Sequence, residues 1–279
     1  MKSRLRRYLI SLAAALMFVG CILPAGCAEQ APKAPTPAEV RVAADASASL
    51  LMQRLAEAYM AKHEGARVAV EFAPEDEALA RCASGEADAA AITRELRDDE
   101  RQGEALQLCA QGISVIVHAD NPVGNLSMAD VRAVFGSAKT DWREVGGEAG
   151  EIALFRGSFN AGISRAFQQA VGADFGGHQN LAFCTVDDPA CSALSINPGG
   201  ISYTLLGEAD KFEDVKAVSV GGTAPTRENV ASGTYPLAMP LLLLACEPQA
   251  PETAAFIAFC QSDDDALRII EMAGWARTR

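Results

Sequence analysis

The 279-residue sequence has no excess of basic residues, and this absence limits the partners that it can bind. It contains 24 Lys and Arg residues against 36 Asp and Glu residues, which gives a formal net charge of −12. Nucleic-acid binding requires a basic surface that faces the phosphate backbone. The composition therefore argues against nucleic acid as a partner.

Histidine is also scarce, and the cysteines do not occur at metal-binding spacings. The three histidines, His63, His118 and His178, lie far apart in the sequence, and no CxxC motif is present. Zinc sites need several such ligands at short spacings. The sequence therefore predicts neither a metal nor another cofactor.

The N-terminal apolar run is too short for a membrane-spanning helix. Tyr8–Val19 is almost entirely apolar and follows Met1–Arg7, which carries four basic residues. A spanning helix needs about 20 apolar residues, whereas a basic segment before a shorter run is typical of a signal peptide. We therefore expect export, and removal of the four basic residues would lower the formal charge from −12 to −16.

Two cysteines at the end of this leader are candidates for lipid attachment. Phe18–Cys21 resembles a bacterial lipobox, whereas the segment before Cys27 has a proline where an apolar residue is usual. The polar segment 28–39 begins just after Cys27, which favours that residue instead. We expect lipidation at Cys21, with Cys27 as the alternative, and cleavage without lipid attachment also remains open. Residues 1–27 are thus predicted as a lipoprotein signal peptide region and 28–39 as a flexible tether.

Eight cysteines are many for a chain of this size, and export permits disulfides. Cys184 and Cys191 enclose six residues and are our disulfide candidate. For four others, both disulfide formation and burial as small apolar side chains remain open. These are Cys82, Cys109, Cys246 and Cys260.

Predicted strands and helices alternate along the chain. The strands are 40–44, 67–72, 87–92, 113–118, 152–156, 201–204, 215–220 and 237–245. The helices are 51–59 behind a Ser49 cap, 75–84, one that starts at Ser127 and Asp130 and ends at Phe135, 162–171, 252–261 and 264–273. Such alternation predicts an α/β fold and favours a parallel sheet.

The segment Leu154–Phe167 combines the end of a predicted strand, a turn of small residues and a helix that starts near Ala161. The first amide groups of a helix lack partners within it and lie at the positive end of its dipole. An anion can bind at such a position. This segment is therefore our first candidate for a ligand site.

Several segments share their order along the chain with the motifs of one protein family. They are ADAAAITRE (87–95), GISVIVHADNPV (112–123), Phe135-Gly136, Trp142–Gly147, Asn197–Tyr203, APTRENVASGTYPLAMPL (224–241) and FIAFCQSDD with MAGW near the C-terminus. Together they resemble the phosphate-binding proteins of bacterial ABC importers, the PstS-like family. The first looks like that family's strand ending in Ser-Arg, and the second resembles its hinge strand.

The resemblance implies a type II periplasmic-binding-protein fold of the α/β class, with mixed sheets, flanking helices and a ligand cleft between two lobes. Lobe one would comprise 40–112 and 240–279, and lobe two 113–239. It also implies an extracytoplasmic solute-binding lipoprotein, anchored to the outer face of the cell membrane or periplasmic, which acts as a monomer. Its partners would be inorganic phosphate or another small oxyanion, and the transmembrane subunits of an ABC permease.

Many side chains that this resemblance would assign to phosphate are replaced. Where the family has Gly-Ser-Ser-Thr, the chain has Ala44–Ser47 (ADAS), and Asp45 would repel a dianion. The family's Ser-Gly-Thr-Arg is here Ala161–Ser164 (AGIS), and Arg165 follows one residue late, about 100° around the helix. The remaining ligand-binding candidates are Ser47, Thr93, Arg94, Gly162, Ile163, Ser164 and Arg165.

Two hypotheses follow from these replacements. Either the cleft has changed its ligand to another oxyanion or a small polar molecule, or the protein has lost phosphate binding and acts as a partner-binding or sensing module. Catalysis has less support, because Asp263–Asp265 fits the negative first turn of a helix and a Cys184 nucleophile with His178 lacks an orienting third group. We therefore expect no enzymatic activity.

Overall fold

The computed structural model describes residues 39–100, 105–155, 161–172 and 189–278. The predicted leader, both candidate lipidation cysteines and the turn at 156–160 lie outside these ranges, as does Cys184. The predicted Cys184–Cys191 disulfide therefore stays a prediction. No helix in the described ranges is long and apolar enough to cross a membrane.

The strands of the described residues are short, with one exception. They are β1 (Glu39–Ala44), β2 (Arg67–Phe72), β3 (Ala89–Ile92), β4 (Ala105–His118), β5 (Asn125–Leu126), β6 (Ala153–Leu154), β7 (Gly200–Leu205), β8 (Val215–Ala217), β9 (Ser219–Val220), β10 (Ala238–Ala245) and β11 (Ala276–Arg277). The exception is β4, which runs for 14 residues. The prediction for this region covered only its second half.

The α-helices of the described residues flank these strands. They are α1 (Ser49–Lys62), α2 (Glu75–Ser84), α3 (Met128–Phe135), α4 (Ala161–Val171), α5 (Pro189–Leu194), α6 (Arg227–Ala231), α7 (Pro251–Ser262) and α8 (Asp264–Met272). The predictions for α2, α4, α7 and α8 agree with these bounds to within a residue or two. The short helices α5 and α6 were not predicted.

Nine of the described strands form one mixed sheet, in the order β2-β1-β3-β10-β4-β7-β6, with β8 and β11 also paired to β4. Strand β1 is parallel to both β2 and β3. Strand β10 is antiparallel to β3 and to β4. The expected parallel pairing is thus correct for β1–β3 and for β6 with β7. It is wrong for the pairings of β10 and β4, which are antiparallel, because β10 returns from the far end of the chain and inserts between β3 and β4.

Strand β4 changes partners half-way along its length. Residues up to Gly112 pair with β10, and those from Ile113 onwards pair with β7 and β8. A Cβ atom on Gly112 would lie 2.8 Å from Cγ2 of Val230 on α6, so the close approach at this point requires glycine. The predicted lobe boundary between 112 and 113 falls at this change of partners, whereas that between 239 and 240 lies within β10. Both boundaries remain predictions.

The strands bury side chains on both faces of the sheet. In β1, Val42 and Ala44 belong to the largest core cluster, which includes residues of α1 and α7, whereas Ala43 packs against α2 on the other face. This alternation follows from the two-residue period of a strand. Helices therefore cover both faces of the sheet around β1, which places α2 beside the ends of β1 and β3.

Local hydrogen bonds explain where two helices begin. Ser127 and Asp130 form the predicted capping box of α3, in which the Asp130 N–H donates to Ser127 Oγ at 3.0 Å. The predicted Ser49 cap is wrong, because Ser49 is the first residue of α1 and Ala48 precedes it. Asp45 satisfies amide groups there instead, since its Oδ1 accepts the N–H of Ser47 at 2.6 Å and that of Ala48 at 3.2 Å.

The predicted strand 215–220 is two strands in the structure. Strand β8 pairs with β4, whereas β9 pairs with β5. Between them, Val218 donates its N–H to the carbonyl of Val115 at 2.9 Å. The chain therefore changes partners within this segment, which a periodic pattern of apolar residues does not reveal.

One disulfide joins two elements that are distant in sequence. Cys82 on α2 is bonded to Cys246, which follows β10, across a sequence separation of 164 residues. Cys109 and Cys260 are buried free thiols. Of the four cysteines for which both outcomes were open, two thus form a disulfide and two are buried as thiols. Burial raises the pKa of both free thiols.

We expect loss of the Cys82–Cys246 disulfide to lower the stability of the folded protein. A bond that closes a loop of this length limits the freedom of the unfolded chain and contributes about 2–4 kcal/mol. Replacing both cysteines by serine should therefore lower the Tm by roughly 4–16 °C. Calorimetry with and without a reductant measures this effect. The reductant should lower the Tm of the wild type more than that of the variant, in which only the predicted Cys184–Cys191 bond would be left to reduce, and an equal response of the two proteins would contradict the assignment.

Candidate functional site

The carboxyl-terminal ends of β1, β2 and β3 bring three loops together at one edge of the sheet. Asp45 follows β1, and Thr93 follows β3. The N–H of Asp45 donates to the carbonyl of Ala91 at 3.0 Å, which holds these two loops side by side. The C-terminal edge of parallel strands is the usual place for a ligand in open α/β sheets.

Glu75 brings a buried carboxylate to this edge. It is the first residue of α2, directly after the loop that follows β2, and it is 4% exposed. The loop is held to β1 because Ala73 donates its N–H to the carbonyl of Ala44 at 2.9 Å. The helix dipole favours a carboxylate in the first turn of a helix. The helix therefore stabilises the charge of Glu75, and the loop fixes where its side chain lies.

Three predicted ligand residues contact the Glu75 carboxylate. Thr93 Oγ1 donates to Oε1 at 3.3 Å, and Arg94 Nε lies 3.5 Å from Oε2. The third residue is Arg165 of α4, whose Nη1 contacts Oε2. The ion pair between Arg165 and Glu75 joins helices that are 90 residues apart in the sequence.

Asp45 adds a second buried carboxylate beside this group. It is 5% exposed, and its Oδ1 accepts the two amide hydrogen bonds at the start of α1, whereas no described residue donates a hydrogen bond to Oδ2. Burial raises the pKa of Asp45, and its amide donors together with the nearby Thr93 oppose the rise. The site thus holds two acidic groups in a position that a phosphate dianion would avoid.

Arg94 is surrounded by carboxylates. Its Nη1 donates to Glu100 at 2.6 Å, and its Nη2 donates to Asp76 at 2.9 Å and to Glu100 at 2.8 Å. The guanidinium is buried, and these hydrogen bonds raise its pKa. The same contact lowers the pKa of Glu100 to about 2. In this structure Arg94 is neutralised by the protein's own acidic residues.

Helix α4 is fixed to the sheet by aromatic packing. The ring of Phe167 stacks on Tyr203 of β7 with a centroid distance of 4.0 Å, and Phe135 of α3 meets Phe167 edge to face at 4.8 Å. The Tyr203 hydroxyl donates to Ser164 Oγ at 3.1 Å. These contacts direct one face of α4 into the core and leave Arg165 at the site, with its side chain 46% exposed.

The structure brings together part of the predicted ligand set. Thr93, Arg94 and Arg165 meet at Glu75, and the Ser47 backbone N–H donates a hydrogen bond to the adjacent Asp45 carboxylate. In contrast, the Ile163 side chain lies in the core and is 2% exposed, and Ser164 binds Tyr203. Gly162, Ile163 and Ser164 remain candidates only at the first turn of α4, whose preceding turn lies outside the described residues.

Sequence reasoning did not select Glu75 as a site residue. The available signal was the acidic run Glu75–Glu77 directly after a strand and Pro74. Such a run is typical of a helix start, and this explanation concealed the difference between Glu75, which is buried, and Glu77, which pairs with Arg81 on the surface. The described residues contain no cluster of three or more metal-ligating side chains.

Comparison with known proteins places the chain in a family. The sequence profile of the PBP superfamily domain (PBP_like_2) matches residues 29–264. The chain belongs to the PBP superfamily. Within this superfamily it is PstS-like and has the expected mixed α/β fold of periplasmic binding proteins.

Three relatives illustrate this PBP-superfamily membership. Protein SphX of Synechococcus elongatus is 24% identical over 75% of this chain and 69% of its own length. The phosphate-binding protein PstS of Bacillus subtilis is 25% identical over 47% of this chain and 43% of its own. The crystal structure of an ABC-type phosphate transport receptor from Vibrio cholerae superimposes with a TM-score of 0.76 at 26% identity, over 86% of this chain and all of that one.

We expect the pH dependence of stability to reveal the buried charge of Asp45. Because the pKa of Asp45 is raised on folding, its contribution to stability is complete at acidic pH and is lost as the pH rises through the folded value. Asp45→Asn keeps an oxygen for the two amides and removes the charge. The Tm of the variant relative to the wild type should therefore increase by roughly 2–4 °C between about pH 4 and pH 8.

Asp88 provides a matched control of opposite sign. Its pKa is lowered, chiefly by the hydrogen bond from Arg41, so its contribution is present at neutral pH and is lost on acidification. Asp88→Asn should therefore cost stability at about pH 7 and progressively less towards acidic pH. A difference between Asp45→Asn and wild type that does not change with pH would refute the buried charge.

Proposed function

We propose that this chain is the extracytoplasmic solute-binding component of an ABC-type importer, and that it binds phosphate or a related oxyanion. The binding site would lie at the carboxyl-terminal ends of β1 and β3, opposite α4. The observation that carries this proposal is the meeting of Thr93, Arg94 and Arg165 at one small anionic group, the Glu75 carboxylate. The relatives whose names describe phosphate binding and phosphate transport support the ligand class.

The two-lobe arrangement is part of this proposal. Lobe one (40–112 and 240–279) would supply Ser47, Thr93 and Arg94, and lobe two (113–239) would supply α4. Strand β4, which pairs with both groups of strands, would act as a hinge around which the lobes close on the ligand. Binding without chemical conversion of the ligand is the activity that this arrangement supports best.

The ligand preference should differ from that of a site built for the phosphate dianion. Asp45 and Glu75 place two carboxylates where such a ligand would bind. Each hydrogen-bond donor that a buried anion loses costs on the order of 1–3 kcal/mol. We infer that phosphate binds at least about a thousandfold more weakly here than in a site with the full set of donors.

A thermal-shift series on the purified chain tests the ligand class. The compounds are phosphate, sulfate, molybdate, phosphonates and small carboxylates. A ligand at 100 times its Kd adds roughly 2.7 kcal/mol of stability, which corresponds to roughly 5–11 °C in Tm. We expect at least one oxyanion to produce such a shift, and Arg165→Gln to reduce it. Calorimetry then gives the phosphate affinity, and a submicromolar Kd would contradict the expected weak binding.

Arg143→Gln is the matched control for Arg165→Gln. Arg143 is exposed and pairs with Asp141 in a 3₁₀ turn away from the site. Its replacement should leave every ligand-induced shift unchanged. If no compound raises the Tm of the wild type, the oxyanion-binding function is refuted and the alternative of a partner-binding or sensing module takes its place.

We also propose that the protein is exported and held at the outer face of the membrane by an N-terminal lipid. Metabolic labelling with a palmitate analogue should mark the wild type and fail in the variant that lacks the lipidated cysteine. We expect Cys21→Ser to abolish labelling and Cys27→Ser to preserve it, since Phe18–Cys21 has the better lipobox. The reverse result would assign the lipid to Cys27, and labelling that persists in the double variant would exclude both.

A further inference from the structure

The Glu75 carboxylate takes up the donors that a bound oxyanion would need. Its Oε1 accepts a hydrogen bond from Thr93, and its Oε2 faces Arg94 and Arg165. Thr93 is 1% exposed, and Arg94, whose Nη groups donate to Glu100 and Asp76, is 5% exposed. Arg165, with its side chain 46% exposed, is therefore the one of these three donors that an external anion can reach. The Glu75 carboxylate therefore contacts the same side chains that the family resemblance predicts as ligand-binding residues.

We propose that Glu75 is an internal counter-anion that an incoming oxyanion must displace from Arg165, and that this displacement makes ligand binding depend on the uptake of a proton by Glu75. This inference rests on the proposed function, because it concerns how the same site discriminates among anions. It makes Glu75 the residue that determines specificity at the site.

The groups that face Glu75 explain why a proton must be taken up. Arg165 faces it from α4, Arg94 from the loop after β3 and Asp45 from the loop after β1, while the neighbouring Asp76 is exposed and binds Arg94. A charged Glu75 that lost Arg165 to a ligand would remain buried beside Asp45 and the new anion. Such an unpaired buried charge is costly. Protonation of Glu75 removes this cost.

The protonation equilibrium of Glu75 supports this sequence of events. Burial raises its pKa, and the nearby Asp45 raises it further, whereas Arg165 and Arg94 lower it. A ligand that neutralises Arg165 removes one of the three interactions, with Arg165, Arg94 and Thr93, that favour the charged form of Glu75. Binding and protonation therefore favour each other, and the affinity for an anion of constant charge should increase as the pH falls.

Calorimetry on the wild-type chain measures the proton directly. The ligand is sulfate, which remains a dianion from about pH 5 to pH 8, so any proton taken up belongs to the protein. Titrations in two buffers of different ionisation enthalpy at one pH give the number of protons bound per sulfate. We expect uptake of up to about one proton at about pH 7.5 and tighter binding at about pH 5.5. Binding with no proton uptake overturns the proposal.

Glu75→Gln keeps the size of the side chain and removes its charge and its titration. We expect this variant to bind sulfate and phosphate at least about tenfold more tightly than the wild type at about pH 7.5, and to lose proton uptake with sulfate. Glu77→Gln is the matched control, because Glu77 lies on the same helix and pairs with Arg81 on the surface. It should retain the affinity and proton uptake of the wild type. Equal affinities in Glu75→Gln and wild type would overturn the proposal.

A third measurement separates failure of this inference from failure of the proposed function. If neither anion binds wild type or Glu75→Gln, oxyanion binding is refuted for these ligands, and the ligand-free protein still tests the ion pair. The Tm changes of Glu75→Gln and Arg165→Gln should then not add in the double variant, because each substitution breaks the same contact. Full additivity would show that Glu75 does not hold Arg165, and would overturn the inference independently of any ligand.

Discussion

The shared strand β4 is the constraint on which the rest of the structure depends. Its backbone bonds to β10 along one half and to β7 and β8 along the other, so two groups of strands have their positions fixed by one continuous element. Residues from Leu108 to His118 are buried without interruption. The buried Tyr235 adds a hydrogen bond from its hydroxyl to the Ile113 carbonyl at 3.0 Å, next to the change of partners. Helices that belong to different strand groups can therefore meet at a defined distance.

Because this geometry is fixed, α2 and α4 meet at the ion pair between the buried Glu75 and Arg165. Burying a carboxylate is unfavourable unless opposite charge and hydrogen bonds accompany it. Glu75 receives both, from Arg165, Arg94 and Thr93, whereas Asp45 receives only amide and hydroxyl neighbours. At this edge of the sheet, cationic groups offset the buried charge of Glu75, whereas no cationic group of the described residues offsets that of Asp45. The chain has a net charge of −12, and at this point two of its acidic residues, Asp45 and Glu75, are buried.

Local patterns in the sequence predicted most of the elements, and what they missed depends on contacts between distant segments. The bounds of β2 and α2 were predicted to the residue, because a strand of alternating character precedes a helix that Gly85 ends in the left-handed conformation. The first half of β4 gives no such signal, since its burial comes from pairing with β10. Thr93, Arg94 and Arg165 could be selected from the family resemblance. Their common partner Glu75 could not, because that contact depends on the order of strands in the sheet.

A site whose cationic groups already have an internal partner differs physically from an empty one. In an unoccupied anion site, buried guanidinium and hydroxyl groups lack hydrogen-bond partners, and their desolvation is compensated only when the ligand binds. Here Glu100 and Asp76 supply that compensation beforehand for Arg94, whereas the Glu75 carboxylate accepts from Thr93 and pairs with Arg165. These contacts compensate buried charge in the ligand-free fold, and an anion that binds as we propose would have to replace the contact with Arg165. The weak phosphate binding that we propose would therefore follow from the same contacts that compensate the buried Glu75 carboxylate.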